Sequence, residues 1–362
     1  MKYLIDEIRH NRLLWMIVIV PVLFATKAAA PQSHTLLFVL SIAAIVPLAA
    51  LLSRATEAIA DKTGDAAGGL LNATLGNLTE LIIAFTALKA GQYMLVKASI
   101  AGVIVANSLF MLGACLLVGG LKYHVQEFNP QNARLQTSLL IVATVALLLP
   151  SLIGGSPAAT DAFMQQFSLG LAVILIVSYG LAMLFSLGTH KEFFGGAGHG
   201  AGEAAWPVKV ALVTLAVVTV LVALTSEVFV ESVQHASEGL GLSAAFVGFI
   251  IVALVGGTAE IFAALSGARK NRLDLSVGIA LGSASQIALF VAPVLLFASY
   301  IVGPRPMDLQ FWPGAVVMML IAAFIASVVT NTGKSAWFFG AIIINVYLLF
   351  ALALYLLPPA GH

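Results

Sequence analysis

Charge is scarce in this sequence. Asp, Glu, Lys and Arg make up 9% of the 362 residues, against about a quarter in a soluble globular domain. So few charged groups cannot cover a water-facing surface, which excludes an ordinary soluble protein. Cysteine is almost missing as well: Cys115, inside an apolar run, stands alone and rules out an internal disulfide. The net charge is only +1, so no nucleic-acid or acidic partner is expected. What the chain has in quantity is apolar: 60% hydrophobic residues and a mean hydropathy of +1.04. Ala28-Ala29-Ala30 after the apolar stretch from Leu13 has the outline of a leader cleavage site, but Pro31 and Lys27 argue against removal.

Apolar runs long enough to span a bilayer, about 20 residues each, lie near 13–30, 35–53, 68–88, 95–120, 135–153, 165–187, 207–230, 243–266, 275–301, 313–330 and 335–357. Eleven spans put the termini on opposite faces. The N-terminal face then holds Lys2, Arg9, Arg12, Arg54, Lys62, Lys122, Arg134, Lys191, Lys209, Arg269, Lys270, Arg272 and Lys334. The other holds Lys27, Lys89, Lys97 and Arg305. Basic loops stay in the cytoplasm, so a cytoplasmic N-terminus and an outer C-terminus are expected.

The chain also repeats itself. LLNATLGNLTELIIAF around the third span matches IIVALVGGTAEIFAAL around the eighth: Ala73, Gly76, Glu80 and Ala84 fall on Ala253, Gly256, Glu260 and Ala264. VANSLF around Asn107 and ASQIALF around Gln286 form a second pair. Each copy holds five spans, an odd number, so the copies cross in opposite senses, an arrangement found in transporters. The fold expected is an all-α integral membrane protein with eleven transmembrane helices, one extra N-terminal helix plus two inverted five-helix repeats. Residues 1–32 form the N-terminus and extra helix, 33–187 the first repeat, 188–205 a cytoplasmic linker and 206–362 the second repeat. The linker is rich in Gly and carries His190, Lys191, Glu192, His199 and Glu203; flexibility is its plain reading, pH sensing through the histidines the alternative.

Of 16 acidic residues, Glu80 and Glu260 alone sit well inside apolar spans. A carboxylate there costs several kcal/mol and persists only protonated, paired or bound to a cation. Equivalent positions in the two copies favour a shared ion site over protonated acids that merely fasten helices together. Gly76-Asn77 and Gly256-Gly257 precede these acids by one turn; glycine weakens a helix and frees carbonyls to face a cavity. Gly76 and Gly256 therefore join the metal-site candidates. Carboxylate and carbonyl oxygens suit a hard cation such as calcium. Asn107 and Gln286 offer amides deep in spans 4 and 9, as ligands or as plain interhelical hydrogen bonds. Ser108, Ser283, Ser285, Thr79 and Thr258 are weaker candidates. Glu57 and Asp61 after span 2, and Glu227 and Glu231 ending span 7, read either as vestibule acids that attract cations or as solvated interfacial charges.

At these motifs the chain resembles the calcium/cation antiporter superfamily, specifically its calcium/proton exchanger branch. LLNATLGNLTELIIA, VGGTAEIFAAL, IVANSLFMLG, GIALGSASQIALFVAP and NTGKSAWFFGAIIINVYLLFALALYLLP carry the likeness. The resemblance implies Glu80 and Glu260 as the acids of the site and of proton coupling, Asn107 and Gln286 as the amides beside them, and Glu57 and Glu227 as acids of two mobile helices. Gly257 stands where relatives usually carry Asn, and Ile261 where many eukaryotic ones carry His. The implied function is a secondary active antiporter in the cell membrane that exports calcium in exchange for protons by alternating access. Calcium, protons and the lipid bilayer are then the partners, with room for a homo-oligomer and no cofactor beyond the transported ions. The alternatives are sodium/proton, other cation/proton or sodium/calcium exchange, or a cation channel. An intramembrane enzyme is not expected, since no Asp or His lies mid-span.

Overall fold

The computed structural model describes residues 7, 11–63, 68, 70–71, 74–156, 159–190 and 206–359. Lys191, Glu192, His199 and Glu203 of the expected linker lie outside them. Twelve helices follow in order: α1 (Leu13–Ala29), α2 (His34–Thr63), α3 (Leu78–Lys89), α4 (Tyr93–Tyr123), α5 (Pro130–Ile153), α6 (Asp161–Thr189), α7 (Val208–Leu240), α8 (Ala244–Gly256), α9 (Thr258–Arg269), α10 (Leu273–Val302), α11 (Pro313–Thr330) and α12 (Trp337–Leu356). Eight of these are long and apolar enough to cross a membrane, and α8 with α9 makes a ninth span bent by 57°. The chain is a multi-pass membrane protein.

Two expected spans are not continuous helices. The third is interrupted at Gly76 and Asn77, so α3 has only 12 residues, about 18 Å of helix. The eighth breaks at Gly257. The first expected span opens as a 3-10 helix over Arg12–Val18 before turning α-helical, because Asn11 caps it by accepting the Leu13 N–H. Elsewhere the local rules hold: Asn129 accepts the Gln131 and Asn132 N–H groups and Pro130 opens α5, and Thr160 caps α6. Widened π turns interrupt α4 at Ala106–Met111, α8 at Val247–Val252 and α10 at Ile287–Val291.

The connections sort into two ends of the bundle. At one end, β1 (Val125–Glu127) pairs antiparallel with β2 (Lys334–Ala336) in the register Val125↔Ala336. Lys122 and Tyr123 both donate to the Arg269 carbonyl at 2.9 Å, and Arg134 reaches Asn331. At the other end Lys27 pairs with Glu231, Lys89 with Glu227 and Lys97 with Asp308, while the Tyr93 hydroxyl donates to the Arg305 carbonyl. Every long helix from α4 to α6 and from α10 to α11 runs from one set to the other. Accordingly α3 heads toward the Lys89 end and α9 toward the Arg269 end, so the two halves are opposed in direction.

Burial divides into two apolar clusters. The larger spreads over α3 to α6 and α8 to α12 and takes in Phe38 and Ile45 of α2 and Phe229, Val230, Val233 and Ala236 of α7. The smaller joins α1, α2 and α7 through Leu23, Leu48, Leu52, Val218 and Val222, closed by Trp206. The halves interlock: α7 packs on α3, and α2 on α8 and α9.

Candidate functional site

Both glutamates sit in the first turn of a half-helix, the buried Glu80 in α3 and the half-buried Glu260 in α9. The free N–H groups there put the positive end of each helix dipole beside a carboxylate or its ligand. Glu80 is 5% exposed, Asn77 2% and Asn107 1%, which places this polar cluster inside the molecule. Glu260 lies close enough to Glu80 to feel its charge and has the Ser283 hydroxyl within hydrogen-bonding reach.

A chain of neutral groups links the halves. Asn77 Nδ2 donates to Gln286 Oε1 at 2.8 Å. Ser283 Oγ donates to Asn77 Oδ1 at 2.8 Å, and Asn107 Nδ2 donates to Ser283 Oγ at 2.9 Å. Asn107 lies within the π turn of α4 and Gln286 directly before that of α10, and such turns recur where side chains are re-aimed for function. The network consumes the amide nitrogens of Asn77 and Asn107 and leaves oxygen atoms over. Glu80 Oε1, Glu260 Oε2 and Asn107 Oδ1 are buried without a hydrogen-bond partner among the described residues. A Cβ on Gly257 would lie 3.7 Å from Glu80 Oε1 and 3.8 Å from Asn107 Oδ1, so these two oxygens converge on one point. Buried acceptors without donors cost free energy, and a bound cation satisfies them at once.

The structure thus brings Glu80, Glu260, Asn107 and Gln286 together. Gly256 does more than loosen a helix: a Cβ there would sit 3.0 Å from Glu80 Cγ, so its bareness makes room for that side chain. The carbonyls of Asn77 and Gly257 accept the Leu81 and Ile261 N–H groups and act as helix caps. Asn77 and Ser283 are the residues that sequence reasoning undervalued. Asn77 was noted beside Gly76 at the break, yet its side chain holds the centre of the network. No cluster of three His, Cys, Asp or Glu side chains suited to a metal occurs among the described residues; the donors are two carboxylates, amides and a hydroxyl.

The four outlying acids are not assembled with this site. Glu57 receives the Ser53 hydroxyl and lies 3.8 Å from Arg54. Glu227 and Glu231 are ion-paired with Lys89 at 3.8 Å and Lys27 at 2.8 Å, and Asp61 is exposed. Beside two of them in the chain, the buried hydroxyls of Thr56 on α2 and of Thr225 and Ser226 on α7 have no partners among the described residues.

Broken helices of opposed direction, each with an acid in its first turn, define the class: a membrane transporter of the inverted-repeat kind. The sodium/calcium exchanger protein family matches residues 33–188 and 210–356, and the chain belongs to that family. It is 40% identical over 338 residues to the Ca(2+)/H(+) antiporter of Aphanothece halophytica, covering 89% of this chain and 90% of the relative. It is 39% identical over 361 residues to the Ca(2+)/H(+) antiporter of Synechocystis, covering 95% and 96%. The solved structure of native YfkE superposes with a TM-score of 0.84 at 35% identity, covering 96% of this chain and all of that one. These relatives are transporters rather than enzymes, in line with the expectation from sequence.

Proposed function

We propose that the protein exchanges calcium for protons by alternating access, with Glu80 and Glu260 as the shared site. The observation that carries this reading is the set of unsatisfied buried oxygens, Glu80 Oε1, Glu260 Oε2 and Asn107 Oδ1, gathered at two helix breaks. The relatives named as Ca(2+)/H(+) antiporters supply the ion pair. With calcium bound, two carboxylates neutralise it and the amide and hydroxyl oxygens complete the shell. With calcium gone, two bare negative charges in a site with little water repel each other, and protons replace the metal. Either loaded state carries little net charge and passes through the conformational change. The empty, doubly charged state does not, and that barrier enforces exchange.

In this reading α1 and the broken α3 span also cross, giving eleven spans in a cell membrane. The β1–β2 end, with its Lys and Arg side chains, faces the cytoplasm. Calcium leaves the cell and protons enter. The test is calcium flux in reconstituted vesicles under imposed proton or sodium gradients. Glu80→Gln and Glu260→Gln are each expected to abolish proton-driven flux, and near-normal flux in either variant would refute the assignment.

A further inference from the structure

Two cavities flank the amide network. One, of about 10 Å³, lies on the Lys89 side and is lined by Glu80 with Ser99 and apolar side chains of α4, α8 and α10. The other, of about 30 Å³, lies on the β1–β2 side between α5, α6 and α10, with room for about two waters. Its polar lining is Gln136, Tyr179, Ser186, Ser285 and Gln286. None of these except Tyr179 is ionisable, so the lining carries no fixed charge that would attract a divalent cation.

The second cavity is tied to the site and has no lining residue from α2 or α7. Gln286 lines it and is held on its other side by Asn77. Ser285 Oγ donates to Gln136 Oε1 at 3.1 Å. One turn nearer the β1–β2 end, Asn132 shares the Gln136 face of α5 and approaches α10 at Gly278. Its Oδ1 is buried without a partner among the described residues. Asn132, Gln136, Ser285 and Gln286 thus form a neutral polar line from the end of α5 to the amide network. A calcium ion needs about six to eight oxygen ligands, which a lining of neutral amides and hydroxyls around two waters does not supply. A proton needs only hydrogen-bonded water.

We propose that protons pass between the site and the β1–β2 face along this water-holding line between α5, α6 and α10, apart from the calcium path beside α2 and α7. The Asn77–Gln286 hydrogen bond is its gate. Closed as it is here, it keeps the cavity from the two glutamates; were it always open, protons would leak without calcium.

The inference rests on the calcium/proton reading, so the test compares two modes of one protein in vesicles. Calcium/calcium exchange needs no proton, whereas calcium/proton exchange does. Gln136→Leu fills the line with an apolar side chain. It is expected to slow calcium/proton exchange by about tenfold or more, the scale of losing a positioned proton-transfer group, while calcium/calcium exchange stays within about twofold. Equal slowing of both modes, or of neither, overturns the proposal. Should Gln136→Leu not fold, Gln136→Met, which keeps the length but removes the amide, carries the same test: slowing of the proton-coupled mode alone is expected, and equal slowing of both modes, or of neither, overturns it. If the unmodified protein shows no calcium/proton exchange, the functional reading fails instead, and the two failures are told apart.

Discussion

At the scale of single residues, the site rests on side chains that differ in how visible they are. Glu80 and Glu260 stand out in the sequence because a carboxylate among apolar residues has no cheap explanation. Asn77 does not stand out, since a neutral amide at a helix break is ordinary. Yet it donates to Gln286 and accepts from Ser283, both across more than 200 positions of chain. Asn77→Ala would orphan the Gln286 carbonyl and leave the Ser283 proton free to turn toward Glu260. The expected cost is about 1–3 kcal/mol of stability, the usual penalty for buried polar groups left unpaired, read as a lower melting temperature in detergent. Calcium affinity should fall as well, because Ser283, which holds the Asn107 amide, loses the acceptor that fixes its own hydroxyl. An unchanged melting temperature and calcium affinity would show the network to be incidental. The distance between paired residues is what hid it: spacing along the chain reveals which helix face a residue shares, not which other helix it meets.

At the scale of elements, most spans were legible, though α2 and α7 run about ten residues past the expected 53 and 230, and the breaks at Gly76-Asn77 and Gly257 fall at the glycines that precede the two acids. The π turns were not legible, since an i→i+5 bond leaves no pattern in residue types. Nor were β1 and β2, three residues each in otherwise unremarkable loops. The outlying acids were legible as charges, but the lysine partners of Glu227 and Glu231 come from other helices, and so those ion pairs could not be read. Close helix crossing is a further element-level feature. A Cβ on Gly102 would lie 2.3 Å from the Phe249 carbonyl oxygen, and one on Gly248 would lie 2.6 Å from Ala98 Cβ. These glycines let α4 and α8 touch through their backbones, as small residues do between membrane helices. Gly102→Ala has no flexible neighbour to push aside, so the helices must part. A cost of about 1–3 kcal/mol is expected, as for other overpacked contacts, with weaker calcium binding because α4 also carries Asn107. Thermal unfolding and calcium titration check both. A variant as stable and as tight as the parent would mean that α4 and α8 separate freely.

At the scale of the whole molecule, the two apolar clusters matter most. Helices α1, α2 and α7 pack on one another around Leu48, Leu52 and Val222, while the broken helices and their neighbours share the larger core. Phe38 and Ile45 of α2 and Phe229, Val230 and Val233 of α7 also reach into that larger core, so the part of these helices around Leu48, Leu52 and Val222 is where a shift disturbs least packing. At the end away from β1 and β2 the contact includes an ion pair at its surface: Lys89 of α3 meets Glu227 of α7 at 3.8 Å, with both side chains about half or more exposed. Exposed ion pairs of this kind are weak and exchange partners easily, which suits a contact that must break in every cycle. The buried hydroxyls of Thr56 on α2 and of Thr225 and Ser226 on α7, without partners among the described residues, are free to take new ones as the helices shift. Tethering the units should therefore stop transport without emptying the site. With Lys89→Cys and Glu227→Cys joined by a short, reducible thiol-to-thiol linker, calcium binding is expected to persist while flux ceases, and reduction of the linker restores it. Full-speed flux in the tethered protein would mean that α7 and α3 travel together, and the moving boundary would then have to be sought elsewhere than between the two clusters.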